Sequence, residues 1–193
     1  MTVAGIVLAG GSSSRFGSDK LVASYRGRPL LERAIARVAE VSDDVIVVMG
    51  PGADGRRLPD GTRLVHDSSE GEGPLAGVHA GLLAAVRSDV AIVVAGDMPD
   101  VPVSVLRALT AALESGGDAA ALAADGTPAP VPIAVRTWPA ADAVHTLLHA
   151  GRRRLGDVLD VLDTTVVDES VWTELDPERR ALFDVDEPAD LER

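Results

Sequence analysis

The chain contains no cysteine. That excludes disulfides, thiolate nucleophiles and cysteine-based zinc or iron–sulfur sites. Aromatic residues make up only 3% of its 193 positions, so the core must be built from Ala, Val and Leu. No apolar run approaches the ~20 residues of a membrane-spanning helix. The first residues show neither the basic flank nor the long apolar stretch of a secretory signal, so a cytoplasmic location is expected. Positive charge is scarce, with a formal net charge of −12. Nucleic-acid binders carry a basic footprint, and anionic membranes attract basic segments, so neither partner is expected. Among the cationic residues lysine is the scarcest: Lys20 is the only one, beside 17 arginines. Lysine meets a phosphate as a point charge, whereas arginine meets it as a planar fork.

What is present is an alternation of short apolar runs and longer helical stretches. Val3–Leu8, Val45–Met49, Arg63–His66 and Val90–Ala95 read as strands. Three of them are nearly continuous in apolar character, as strands covered on both faces should be. The stretches Pro29–Glu40, Leu75–Val86 and Val103–Glu114 read as helices, with Pro29 suited to a first turn. Ala119–Ala123 and Pro130–Val135 follow as strands around an Asp125-Gly126-Thr127-Pro128 turn. Pro130 and Pro132 cannot donate to a ladder, so that segment is expected at an edge or a strand end. Ala140–Ala150 and Leu155–Leu162 read as helices, Thr164–Val167 as a strand, and Pro188–Arg193 as a short terminal helix. The Gly, Pro, Asp and Arg of Gly50–Gly61 mark a loop. No repeat or linker interrupts the chain. The expectation is one α/β domain, three-layered and Rossmann-like, with right-handed crossovers and a mostly parallel central sheet.

Four segments carry candidate chemistry. The first runs from Leu8-Ala9-Gly10-Gly11 through Arg15 to Asp19-Lys20, directly after a buried strand. Glycines let backbone N–H groups wrap an anion closely, and Arg15 and Lys20 add charge. It is neither a P-loop nor a dinucleotide fingerprint. The second is Gly96-Asp97-Met98-Pro99, which closes Val90–Ala95. Ligands of open parallel sheets bind beyond the carboxyl ends of the strands, so Asp97 should share a rim with the glycine loop. There it could hold Mg²⁺ or cap a helix. The third is Gly73-Pro74-Leu75-Ala76-Gly77. Gly77 permits close approach of a base or sugar, although turn chemistry alone also explains the segment. Asp67, at the end of the preceding strand, could accept from a base edge or ribose, or form an Asx-turn. The fourth is Phe183-Asp184-Val185-Asp186-Glu187. In an extended segment Asp184 and Asp186 point the same way, either to join Asp97 at a metal or as a solvated acidic tail. His145 and His149 stand one helical turn apart without an evident third ligand, so a zinc site is not expected. Arg152-Arg153-Arg154 reads either as a solvated helix start or as a receiver for an anionic second substrate. No Gly-x-Ser-x-Gly elbow supports covalent serine chemistry.

Together these segments resemble the molybdenum cofactor guanylyltransferases, within the wider nucleotidyltransferases, nearly from end to end. Arg152 through Leu159 also resembles a later helix near the cofactor side. The resemblance implies the nucleotidyltransferase fold and transfer of GMP from GTP to molybdopterin carrying molybdenum, with release of pyrophosphate. It implies Leu8, Ala9, Gly10 and Gly11 lining the nucleotide and Asp67 and Gly77 binding it. Arg15, Lys20 and Asp97 would be catalytic, and Asp97 with Asp186, less firmly Asp184, would hold Mg²⁺. Molybdoenzyme chaperones or clients would be transient partners, and the enzyme a monomer or weak homo-oligomer. Asp184 and Asp186 stand where the guanylyl members usually carry Asn, Met49-Gly50 lacks a usual asparagine, and Gly96 and Met98 differ from the commonest form. A CTP-dependent cytidylyltransferase, a GTP-dependent enzyme with a phospholactate-type acceptor, and a nucleotide-binding adaptor without transfer therefore stand as alternatives.

Overall fold

A computed structural model describes residues 1–10, 16, 19–51, 57–67 and 73–193. Strand β1 (Val3–Leu8) leads through a two-residue hairpin, β2 (Ser24–Tyr25) and β3 (Arg28–Pro29), into α1 (Leu30–Ala39). Then follow β4 (Asp44–Met49), β5 (Thr62–His66), α2 (Pro74–Ala84), β6 (Val90–Ala95) and α3 (Val103–Ala112). The second half contains β7 (Ala119–Ala124), β8 (Thr127–Arg136), α4 (Thr137–His149), α5 (Gly156–Val161), β9 (Thr164–Val167) and α6 (Glu169–Leu175).

Seven strands form one sheet in the order β5-β4-β1-β6-β8-β7-β9. Pairing is parallel except at β8, which runs against both β6 and β7. Successive residues of the central strands feed opposite faces, as the two-residue period of a strand requires. Val7, Met49 and Val94 pack with α1, α3 and Trp172 of α6 on one face. Ile6, Val48 and Val93 pack with α2, α4 and α5 on the other. This two-sided burial explains why β1, β4 and β6 read as unbroken apolar runs.

Two expectations are corrected. The Pro130–Val135 segment is no edge, since β8 lies between β6 and β7. Its prolines escape the ladder by register. Pairing with β6 uses only Ile133 to Arg136, and pairing with β7 shifts register between Ala121 and Ala123, so Pro130 and Pro132 fall at a bulge. Helix α4 starts at Thr137, three residues earlier than expected, because Pro139 sits in the first turn, where no donor is needed. Pro188–Glu192 is the expected short terminal helix, of 3₁₀ type and closed by reciprocal Glu187 and Asp190 caps.

Candidate active site

The register of the parallel strands sets the rim. Leu8 of β1 lies level with Val48 of β4 and Ala95 of β6, while Met49 lies level with His66 of β5. The residues that follow each strand, Ala9-Gly10, Gly50, Asp67 and Gly96-Asp97, therefore emerge along one edge. Backbone bonds stitch them: Ala9 N donates to Val48 O at 2.7 Å, Gly96 N to Leu8 O at 2.8 Å, and Asp67 N to Met49 O at 2.9 Å. A methyl group on Gly10 would stand 3.4 Å from Gly50 N, and one on Gly96 would stand 3.1 Å from Leu8 O. Small residues thus keep the strand ends close.

Lys20 reaches this rim from a short 3₁₀ turn whose start is capped by Asp19, with Leu21 N donating to Asp19 Oδ1. Its Nζ lies 2.6 Å from Asp97 Oδ2 and 3.1 Å from Asp186 Oδ1, and donates to Val185 O at 3.1 Å. Lys20 and Asp97 are each less than one-fifth exposed. The two residues, far apart in sequence, meet as the sequence predicts. Burial favours neutral lysine, but the hydrogen bonds and charges of Asp97 and Asp186 outweigh it and raise the Lys20 pKa. Asp186 is drawn in by backbone: Val185 N donates to Asp97 O at 3.0 Å, and Val185 is buried with Tyr25 and Leu30. Asp184, on the same segment, titrates above the usual carboxylate range through partial desolvation and the charges of Asp186 and Asp97.

Asp97 is not a helix cap, since α3 begins beyond Pro102. Its Oδ1 is buried and accepts from no group among the described residues, and the same holds for Asp67 Oδ1. Asp67 faces Gly77 of α2: a methyl group there would lie 3.6 Å from Leu8 Cδ2 and 3.8 Å from both Asp67 Oδ2 and Val48 Cγ1. Gly73, at φ +76°, precedes α2 and abuts the backbone of Arg153. Of the arginine triplet, Arg152 is committed to Asp157 through two bonds of 3.0 and 2.6 Å, and Arg153 donates to Leu148 O. Gly11 and Arg15 lie outside the described residues.

Among the described residues no group of three or more His, Asp or Glu side chains could hold a metal ion alone. His145 and His149 do gain a neighbour that spacing could not reveal: His79 of α2 lies 5.6 Å from His145 between ring centroids. For Mg²⁺ the donor set at the rim fits. Mg²⁺ is held by one or two carboxylates and completed by water and phosphate oxygens, and Asp97 offers a spare buried oxygen beside Asp186.

Sequence reasoning missed Asp100. This carboxylate is buried and accepts from Arg33 at 2.5 Å, Tyr25 Oη at 3.0 Å and Arg26 at 3.1 Å. Tyr25 stands 6.4 Å from Phe183 between ring centroids, so the network braces the segment that presents Asp184 and Asp186. The available signal was composition: Tyr25 is the only tyrosine in the chain.

The family model described as "MobA-like NTP transferase domain" matches residues 5–165. The chain belongs to the MobA-like NTP transferase family. Among its relatives, a probable molybdenum cofactor guanylyltransferase of Chloroflexus aggregans is 34% identical, covering 99% of this chain and 92% of that one. Another, from Haloferax mediterranei, is 33% identical over 86% of this chain and 80% of its own length. The crystal structure of molybdopterin-guanine dinucleotide biosynthesis protein A from Archaeoglobus fulgidus superposes with a TM-score of 0.78. It is 25% identical, over 100% of this chain and 96% of that one. The MobA-like fold thus spans the chain, and α2, β6 and the Lys20 turn all fall inside the matched residues.

Proposed function

We propose that this MobA-like chain is a guanylyltransferase that transfers GMP from GTP to molybdopterin carrying molybdenum and releases pyrophosphate. The names of its relatives supply the substrates. The observation that carries the chemistry is the 2.6 Å contact between the ammonium of Lys20 and the carboxylate of Asp97 on the sheet rim. A phosphate oxygen of the acceptor attacks the α-phosphorus of GTP. The bond from that phosphorus to its β-bridging oxygen breaks, and pyrophosphate leaves with the electron pair.

The attacking group is already anionic, so catalysis consists of alignment and charge neutralisation rather than proton removal. Leu8, Ala9, Gly10 and Gly11 line the nucleotide with backbone. Gly77 leaves room for the base, and Asp67, whose buried Oδ1 has no donor among the described residues, accepts from it. Guanine offers N–H donors along one edge, which suits a carboxylate acceptor. Arg15 and Lys20 take up charge on the departing pyrophosphate. Asp97 and Asp186, with Asp184 on the same segment, would hold Mg²⁺, which would supply charge neutralisation for the phosphates.

An adaptor that binds nucleotide without transfer has no use for carboxylates packed against the phosphate-binding lysine. We place the enzyme in the cytoplasm as one nucleotidyltransferase domain, a monomer or weak homo-oligomer that meets molybdoenzyme chaperones or clients transiently. Thermal shift with GTP and CTP, each with Mg²⁺, tests the base. A ligand stabilises in proportion to the logarithm of its concentration over Kd. GTP is expected to raise Tm at concentrations where CTP does not, and the reverse order would make the enzyme a cytidylyltransferase.

A further inference from the structure

We propose that Lys20 is the resident counter-ion of Asp97 and Asp186, so that a divalent cation enters their site only when nucleotide phosphates draw the ammonium away. The final step rests on the nucleotidyl-transfer function above; the counter-ion role itself stands on geometry.

An ammonium carries three N–H donors and no acceptor. Among the described residues Lys20 has three oxygens within hydrogen-bond distance: Asp97 Oδ2 at 2.6 Å, Asp186 Oδ1 at 3.1 Å and the carbonyl of Val185 at 3.1 Å. Two carboxylates and a carbonyl form the kind of oxygen set that a hard divalent cation takes. The lysine therefore stands in a cation's position rather than beside it. Two cations cannot share that position, because their repulsion at contact distance would cancel the attraction each gains from the carboxylates.

The backbone that carries these oxygens is held by bonds that do not involve Lys20. Val185 N is tied to Asp97 O at 3.0 Å, and the Val185 side chain is fully buried. The N–H groups of Asp186 and Glu187 both donate to Asp190 Oδ2, at 3.1 and 3.0 Å. The segment would thus stay beside Asp97 after the ammonium leaves, with both carboxylates within reach of an incoming cation. The residue type also fits. Lysine is a compact charge on a flexible four-carbon stem, able to occupy and vacate such a position, whereas a guanidinium fork is not. In a chain whose other basic side chains are all arginine, lysine appears only here.

Mn²⁺ binding without nucleotide, read from the free-ion electron paramagnetic resonance signal, gives the first test. Wild type is expected to bind weakly, and Lys20→Met and Lys20→Gln at least ~10-fold tighter, a factor that corresponds to about 1.4 kcal/mol. Equal or weaker Mn²⁺ affinity in both variants overturns the proposal. If Lys20→Met does not fold, Lys20→Gln, which keeps donors without charge, carries the test alone. The single lysine permits a second. Protein labelled with ¹³Cε-lysine gives one side-chain resonance. Millimolar Mg²⁺ alone is expected to leave it in place, and GTP to shift it. A shift with Mg²⁺ alone as large as that with GTP overturns counter-ion exchange. Absence of any GTP effect, with tighter Mn²⁺ binding in the variants, would instead count against the proposed function.

Discussion

Gly77→Ala separates what the fold needs from what the nucleotide needs. Gly77 is buried in α2, and an added methyl group would meet Leu8 Cδ2 at 3.6 Å and Asp67 Oδ2 and Val48 Cγ1 at 3.8 Å. These are ordinary contact distances, so the methyl fits the nucleotide-free fold. Alanine in a helix interior is favoured over glycine by about 0.8–1 kcal/mol. A gain near 1 kcal/mol raises Tm by roughly 2–4 °C in a domain of this size. The same methyl stands between Leu8 and Asp67, in the space assigned to the base. Overfilling a fitted space costs about 1–3 kcal/mol, or roughly 5- to 150-fold in the Kd for GTP. Thermal melting and calorimetric titration with GTP read both effects on one sample. A raised Tm with unchanged GTP affinity would refute the base position, and a lowered Tm would refute the packing argument.

Lys20→Ala and Asp97→Ala should each cut turnover by ~100-fold or more, the scale of one lost electrostatic contact at a reacting centre; near-normal rates in folded variants would exclude both from the chemistry. Asp184→Asn should raise Tm modestly at neutral pH. The native pKa of Asp184 is raised by partial desolvation and by Asp186 and Asp97, so wild type loses stability as pH climbs from roughly 3.9, the unfolded value, through the native one. The difference between wild type and variant should therefore vanish near pH 4, and a constant difference would contradict this. Asp100→Ala should cost about 3–5 kcal/mol, the scale of breaking a buried ion pair, as measured by urea unfolding. Burial pushes the Asp100 carboxyl up, but hydrogen bonds from Arg33 and Tyr25 outweigh it and hold the pKa low. That stabilisation is present above the ordinary carboxylate pKa and is lost as pH falls through the native value, so the variant should flatten the acid limb of the stability profile.

The rim was legible because two-sided burial leaves a plain mark on β1, β4 and β6, and the loops after such strands can be placed by the parallel-sheet rule alone. Asp97 and Asp67 followed from that placement, whereas Lys20 stood out as the only lysine, Gly77 as a glycine at a helix start, and Asp186 by its alternation with apolar neighbours. The interior position of β8 was not legible. Proline argues for an edge unless the bulge that removes it from the ladder is known. Helix α6 was missed because Trp172 is its only buried residue while Val171 and Leu175 stay exposed, which leaves no helical periodicity to read. The Asp100 network, beyond its lone tyrosine, was not legible for a related reason. It joins the β2–β3 hairpin, α1 and the loop after β6 through single residues, and no spacing in the sequence brings those together.

The most direct measurement is pyrophosphate release by purified protein given GTP, Mg²⁺ and molybdopterin carrying molybdenum, with each component omitted in turn. Release that requires both GTP and the acceptor, and that falls ~100-fold in Lys20→Ala, is the expected result. Tight GTP binding with no pyrophosphate released in the complete mixture would contradict it and leave a nucleotide-binding protein without transfer.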